Sequence, residues 1–331
     1  MPRTLHIQHD RFALTRPFRI ARGERIAADV ITVTLGEGGA RGRGEGAPYP
    51  RYGETVDSAI AAIEAVRPAI EAGADRAALA ALLPPSAARN AVDCAMWDLE
   101  ARLAGRDVAA MIGAPAPVRL ASALTIVIDT PDAMAAAAAE IADAPLLKIK
   151  VNAEECEARL RAVRAAAPDA KLIVDPNESW DEASVKSMQD LLVELRVDLL
   201  EQPVPAAEDG WLEGFTPRVP ICADESLHVA EDLERIARCY QVVNVKLDKT
   251  GGLTEALELA KAARARGLGL MTGCMVSSSL SIAPALHIAR MSDFVDLDGP
   301  VWLKEDYADG VRDDHGYLLP PAPGFWGTTC A

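Results

Sequence analysis

Lys148 and Lys150 stand two residues apart in the apolar run LLKIKV (146–151), and Lys246 closes a second run, QVVNVK (241–246). Between them come Asp175 in KLIVDPN, Glu201 in VDLLEQP and Asp224 in PICADES, and Asp296 and Asp298 follow in DFVDLDGP. An acidic residue after one apolar run is ordinarily a helix cap, and alternate lysines are ordinarily the wet face of an edge strand. Five successive runs ending in Lys, Asp, Glu, Asp and Lys at matching positions require a different explanation. Alternate residues of a strand share a face, so Lys148 and Lys150 point the same way.

Three carboxylates with no histidine at metal-ligand spacing suit a hard, oxygen-preferring cation, Mg2+ rather than zinc. The histidines, at 6, 9, 228, 287 and 315, are scattered. A lysine on either side of the carboxylates supplies two proton carriers. A free lysine, with a pKa of ~10.4, is a poor base at neutral pH, and positive charge from Lys148 and a dication is expected to lower that of Lys150. Two opposed bases around a metal suit proton transfer at a carbon next to a carboxylate. The metal grips the carboxylate and stabilises the enediolate, one lysine removes the α-proton, and the other returns a proton to the opposite face, inverting the centre.

These groups meet only if their strands lie side by side. From about residue 117, short apolar runs alternate with Ala-, Glu- and Arg-rich helical stretches: LASALTIVI, LLKIKV, KLIVDPN, VDLLEQP, PICADES, QVVNVKLD, LGLMTGCM and DFVDLDGP, about 25 residues apart. Repeated strand-then-helix implies parallel strands, and eight of them imply a closed barrel whose C-terminal strand ends share one mouth. GPVWLKEDYADG after the eighth run has no helical pattern. The expected fold is therefore an α/β (β/α)7β TIM-like barrel over 116–300. Residues 301–331, with a Pro-rich stretch at 320–323, are expected to pack back on the first domain.

Residues 1–115 read as a separate α+β domain. ADVITVTLGEGGARGRGEG predicts two strands joined by a Gly-rich turn; no Lys-Ser/Thr follows, which argues against a phosphate cradle. AARNAVDCAMWDLEARLAG carries Ala91, Ala95, Leu99 and Leu103 at four-residue spacing, predicting an amphipathic helix stopped by Gly105.

The 331 residues carry a net charge of −15, which disfavours nucleic acid and acidic membrane surfaces as partners. The N-terminal MPRTLHIQHD lacks the apolar core of a signal peptide, and no apolar run is long enough to span a membrane. Six scattered cysteines (94, 156, 222, 239, 274 and 330), with no Cys-x-x-Cys, read as reduced thiols of a cytoplasmic protein. A homo-oligomer is compatible with the sequence.

KIK, DPNESW, LLEQPVP, ICADES and VNVKLDKTGG together resemble the muconate-lactonizing subgroup of the enolase superfamily. Within it the chain looks most like the dipeptide epimerases, above all those acting on L-Ala-D/L-Glu. RPFRIARGER, GEGAPYPRYGE and ARNAVDCAMWDLEAR resemble the family's capping domain, and DLDGP resembles the Asp-x-Asp that holds a dipeptide's α-ammonium. The resemblance implies that Asp175, Glu201 and Asp224 bind Mg2+ and that Lys150 and Lys246 are the acid/base pair, serving the (R)- and (S)-directions. It implies that Lys148 touches the substrate carboxylate, that Thr125 and Cys274 line the pocket, and that Asp296 and Asp298 receive the ammonium. Arg25, or else Arg22, in the loop after RPF would pair with the γ-carboxylate of glutamate. This also follows from chemistry, since a second carboxylate needs a cation and guanidinium grips it bidentately.

One departure is Pro176, where the family usually has Ala; it is not expected to unseat Asp175. PYPRYGE (48–54) is either a lid that excludes water or an ordinary exposed turn. The resemblance suggests a role in recycling peptidoglycan peptides. Rival readings are an epimerase of other dipeptides, an o-succinylbenzoate synthase or cycloisomerase, a metal-dependent dipeptide hydrolase, and a barrel that binds without turnover. Asp296 and Asp298 argue against the synthase, and the paired lysines against the hydrolase and the inert barrel.

Overall fold

The structure, a computed structural model, describes residues 2–328, so Cys330 lies outside the described residues. The first domain opens with a long antiparallel hairpin, β1 (Thr4–Ile20) and β2 (Gly23–Glu37), to which β3 (Ala40–Gly46) adds in the order β1-β2-β3. Gly38 and Gly39, both in the left-handed region, make the β2–β3 turn.

The remaining glycines of that cluster do something the sequence reading did not anticipate. Gly42, Gly44 and Gly46 alternate along β3 and face the helix Ala87–Ala104; a Cβ on them would stand 2.1–2.3 Å from backbone atoms of Ala95, Leu99, Ala91 or Ala87. Sheet and helix therefore touch backbone to backbone, and only glycine permits this.

That helix is not amphipathic. It starts at Ser86, whose side chain accepts from Arg89 N, ends at the left-handed Gly105, and is buried on every side until its last turns, with Leu103 exposed. Its polar residues are satisfied in the interior: Arg89 donates to the carbonyls of Gly251 and Thr250, Asn90 to Asp248, while Asp93 accepts from Thr254. The helix is thus the wedge between the cap sheet and the barrel.

Residues 124–296 supply eight parallel strands, each hydrogen-bonded to its sequence neighbour. They are β5 (Leu124–Ile126), β6 (Leu146–Lys150), β7 (Lys171–Asp175), β8 (Leu199–Glu201), β9 (Ile221–Ala223), β10 (Val242–Val245), β11 (Gly269–Gly273) and β12 (Phe294–Asp296). The seam between β12 and β5 is joined by Ala123 N→Val295 O, Leu297 N→Ser122 Oγ and Thr125 N→Asp298 Oδ2, at 2.8–2.9 Å. The run LASALTIVI is two elements rather than one: β4 (Leu120–Ala121) leaves the barrel and pairs antiparallel with β14 (Tyr317–Leu319), which also pairs with β13 (Arg312–Asp313).

Alternation along β6 explains its lysines. Leu147 and Ile149 face outward into the core shared with the helices. Leu146 faces inward, in a layer with Ala123, Ile173, Leu199, Cys222, Val242, Met271 and Phe294 around the barrel. Lys148 and Lys150 share that inward face, one above the other toward the mouth. After β12 a short 3₁₀ turn, Gly299–Trp302, replaces a final helix. The C-terminal segment reaches the cap: Trp326 Nε1 donates to Arg43 O and Gly327 N to Asp98 Oδ1, both at 2.8 Å. Among the described residues no helix is long and apolar enough to cross a membrane.

Candidate active site

A cavity of about 400 Å³ lies at the C-terminal end of the barrel, within the range of small-molecule sites. Thr125, Lys148, Lys150, Lys246, Cys274, Asp296 and Asp298 border it from the barrel; Arg22, Arg25, Tyr49 and Tyr52 border it from the cap. Asp224 reaches its edge, whereas Asp175 and Glu201 lie beneath it with no exposure.

Each lysine stands on a carboxylate. Lys150 Nζ donates to Asp175 Oδ2 at 2.5 Å, and Lys246 Nζ to Asp224 Oδ2 at 2.7 Å. Lys148 Nζ lies between them, 2.7 Å from Glu201 Oε2, 2.7 Å from Asp296 Oδ2 and 3.2 Å from Asp175 Oδ2. Burial opposes the charge on Asp175, but Lys150 and Lys148 override it and hold its carboxyl at about 2. Burial likewise opposes the charge on Asp224, and Lys246 and Lys249 hold it well below the carboxylate range. Glu201, dominated by burial with Lys148 only partly offsetting it, is pushed up to about 7.

At Lys246 and Lys148 the surrounding carboxylates outweigh both burial and the neighbouring cations. Burial would lower Lys246, but Asp224 outweighs it and raises the group above its ordinary value; Lys148 is raised in the same way by Asp296 and Glu201. Carboxylates, not neighbouring cations, dominate the field here.

Among the described residues, no three Asp, Glu, His or Cys side chains are grouped as a ready-made metal shell. The ammonium groups stand where a cation would draw the carboxylates together. The donor set nevertheless fits a hard cation, because all three side chains offer oxygen. Glu201 Oε2 also has no hydrogen-bond donor: Lys148 is 2.7 Å away, but not at a hydrogen-bonding angle. Asp175, Glu201 and Asp224 are thus able to hold a metal if the lysines yield.

Asp298 Oδ2 accepts from Thr125 N at 2.8 Å and Trp302 Nε1 at 3.2 Å, which ties that oxygen to the barrel seam. Among the described residues, Asp296 Oδ1 is buried without a hydrogen-bond partner. Burial, reinforced by the adjacent Asp296, pushes Asp298 up to about 6.

The two candidate arginines lie on a paired hairpin rather than a free loop: β1 ends at Ile20, β2 begins at Gly23, and Arg25 is opposite Phe18. Arg22 is committed, donating to Glu225 Oε1 at 2.6 Å, Asn177 O at 2.9 Å, and Glu178 Oε2 and Tyr49 OH at 3.1 Å. Arg25 stacks 4.7 Å over the Tyr49 ring and, among the described residues, forms no ion pair. Tyr49 and Tyr52 are cavity walls, so the 48–54 segment is more than an exposed turn.

The structure adds residues that the sequence reading passed over. Asn177 donates to both oxygens of Asp175, Asn244 donates to Glu201 Oε1, and Lys249 donates to Asp224 Oδ1. All sit within three residues of a singled-out group, inside motifs already quoted. Asn177 and Lys249 lie beyond their strand ends, and Asn244, though on the inward face of β10 with Val242, is neutral and so stood out less than the charged groups. Pro176 leaves Asp175 at the end of β7, since it is Asn177 that supplies the N–H.

Residues 3–113 match the mandelate racemase/muconate lactonizing enzyme N-terminal domain, and residues 133–328 match the enolase C-terminal domain-like family. The chain belongs to the enolase superfamily. It is 47% identical to the L-Ala-D/L-Glu epimerase of Escherichia coli K12 over 96% of this chain and 99% of the relative. It is also 40% identical to an N-acetyl-D-glutamate racemase of a Pseudoalteromonas species, over 90% and 95% of the two chains.

Among solved structures of the superfamily, one from Agrobacterium tumefaciens with homology to dipeptide epimerases holds sodium and L-Ala-L-Glu. It is 46% identical with a TM-score of 0.95, covering 98% of this chain and 100% of that one. A dipeptide epimerase from Methylococcus capsulatus, complexed with Mg and L-Arg-D-Lys, is 33% identical with a TM-score of 0.88 over 97% of each chain. The superfamily member described here groups with the dipeptide epimerases and is an isomerase, as epimerases are.

Proposed function

We propose that this chain is a Mg2+-dependent epimerase of L-Ala-D/L-Glu that moves the α-proton of the C-terminal residue between two lysines. The observation that carries the proposal is that Lys150 and Lys246 border one cavity from β6 and from the end of β10, on different buried carboxylates. Lys150 takes or returns the proton on the (R)-face and Lys246 on the (S)-face. Mg2+ held by Asp175, Glu201 and Asp224 would grip the substrate carboxylate and offset the charge that builds on it.

Lys148 faces the same carboxylate from below. Asp296, through its unpartnered Oδ1, and Asp298, through the oxygen not used by the seam, receive the α-ammonium. Thr125 and Cys274 shape the wall. Arg25 takes the γ-carboxylate, because Arg22 already spends its donors on Glu225 and Glu178. The similarity to the Escherichia coli epimerase supports the substrate, and with it a role in peptidoglycan peptide recycling; the five described cysteines, all free, suit a cytoplasmic site of action.

The similarity to N-acetyl-D-glutamate racemase favours a second reading, in which an acylated glutamate is the substrate. The two are separated by incubation with Mg2+ in heavy water. Inversion of L-Ala-D-Glu with deuterium at the α-carbon, and little turnover of N-acetylated substrates, supports the dipeptide, since acylation would leave two desolvated carboxylates without their cation. Equal turnover of N-acetyl-D-glutamate would favour the second reading, and cleavage of the peptide bond would exclude both.

A further inference from the structure

Each of the three carboxylates has a holder besides the lysine that faces the cavity. For Asp175 and Glu201 the holders are the neutral amides of Asn177 and Asn244. For Asp224 the holder is a cation, Lys249, on the short helix Leu247–Thr250 that follows β10.

Lys249 is 2% exposed and does not border the cavity. Its three ammonium hydrogens have three acceptors: Asp224 Oδ1 at 2.7 Å, Asp224 O at 2.6 Å and Asn244 O at 2.9 Å. Two of these are backbone carbonyls, one after β9 and one on β10, so the ammonium pins the two strand ends together. Asn244, whose carbonyl it takes, also holds Glu201 with its side chain. Lys246, three residues earlier, is the opposite case: it has one hydrogen-bond acceptor, Asp224 Oδ2, and faces the cavity. The two lysines therefore use different oxygens of one carboxylate, and only one of them can leave without breaking a backbone contact.

We infer that Lys249 is a positioning residue for the cation site: it fixes Asp224 through Oδ1 and the main chain, so that Oδ2 alone exchanges Lys246 for a divalent cation. This rests on the Mg2+ reading above. A third acid/base group would need a free hydrogen and access to the substrate, and Lys249 has neither. Partners of this kind, which orient ligands without touching the metal, typically change metal affinity by ~10–100-fold.

The test is calorimetric titration of the full chain, without dipeptide, with Mg2+ and Mn2+. Lys249→Met, of similar length and without charge, is expected to bind either metal ~10–100-fold more weakly. Lys249→Gln, one bond shorter but still a neutral donor, is expected to fall between, and it carries the comparison if the methionine variant does not fold. As Mg2+ is raised, α-proton exchange of the two epimers should recover together, in the wild-type ratio. Unchanged metal affinity in both variants would overturn the inference alone. So would selective loss of exchange for one epimer at saturating Mg2+, which would make Lys249 a base. Failure of the unmodified chain to bind metal would instead overturn the Mg2+ reading on which the inference rests.

Discussion

Lys150 and Asp175 are register partners at the ends of two adjacent parallel strands, and their side chains meet with Nζ 2.5 Å from Oδ2. Lys246 and Asp224 make a second lysine–carboxylate contact, Nζ to Oδ2 at 2.7 Å, between the ends of β10 and β9. On each side of the cavity a candidate proton carrier thus rests on a carboxylate that is itself a candidate cation ligand. For Lys246, whose proton Asp224 helps to hold, this ties cation binding to base strength.

Removing the cation should therefore stop the chemistry completely. Glu201→Gln is expected to weaken Mg2+ binding and abolish epimerisation, and EDTA should silence the unmodified chain until Mg2+ is restored. Calorimetry and chiral chromatography of the dipeptide measure the two effects. Full activity in EDTA would contradict the metal assignment.

Asp298 predicts a pH limb. Its carboxyl, pushed up to about 6 by burial and by Asp296, is ionised above that pH and protonated below it. Since kcat/KM reports groups of the free enzyme, kcat/KM for L-Ala-D-Glu should fall as the pH drops through about 6. Asp298→Asn should lower kcat/KM and remove that limb; a limb at the same pH in the variant would assign it to another group.

The arginines should separate by substrate. Arg25→Met is expected to cut kcat/KM for L-Ala-D-Glu by ~10²-fold, in line with loss of one partner of an enclosed charge pair, and to spare dipeptides lacking the γ-carboxylate. Arg22→Met should affect all dipeptides alike, because it frees the hairpin from Glu225 and Glu178. The reverse pattern would exchange the two roles.

The cap–barrel wedge yields a stability prediction. A Cβ at Gly44 would lie 2.2 Å from Ala91 O, whereas one at Gly39 meets nothing within 4 Å and suffers only from its left-handed backbone. Gly44→Ala should cost ~3 kcal/mol, the upper end of overpacking, and Gly39→Ala ~1 kcal/mol. Urea unfolding with tryptophan fluorescence compares them; equal losses would contradict backbone-to-backbone docking of β3 on the helix.

The catalytic layer was legible because a strand exposes alternate residues to one face. A lysine or carboxylate at the inward end of six of the eight apolar runs survives translation into the barrel mouth almost unchanged. The cap was less legible for the same physical reason in reverse. In the helix Ala87–Ala104 four polar residues, Arg89, Asn90, Asp93 and Asp98, are buried among the apolar ones, and Arg89, Asn90 and Asp93 find partners more than 150 residues away. No local pattern reveals such partners. The Gly-x-Gly-x-Gly of β3 looks like a turn in sequence, and only the helix lying on it explains the spacing. Lys249 was hidden because it falls on a helical turn just beyond the strand, where the alternation ends.

The most direct measurement is single-turnover exchange of the α-proton in deuterium oxide, followed separately for L-Ala-L-Glu and L-Ala-D-Glu in Lys150→Ala and Lys246→Ala. Every epimerisation needs both lysines, so both variants should lose it by the ~10²–10⁴-fold typical of a missing acid/base group, or by more. Lys150→Ala should still exchange the L-Glu epimer through Lys246, and Lys246→Ala the D-Glu epimer through Lys150. Exchange of both epimers by either single variant, or epimerisation near the unmodified rate, would contradict the two-lysine mechanism.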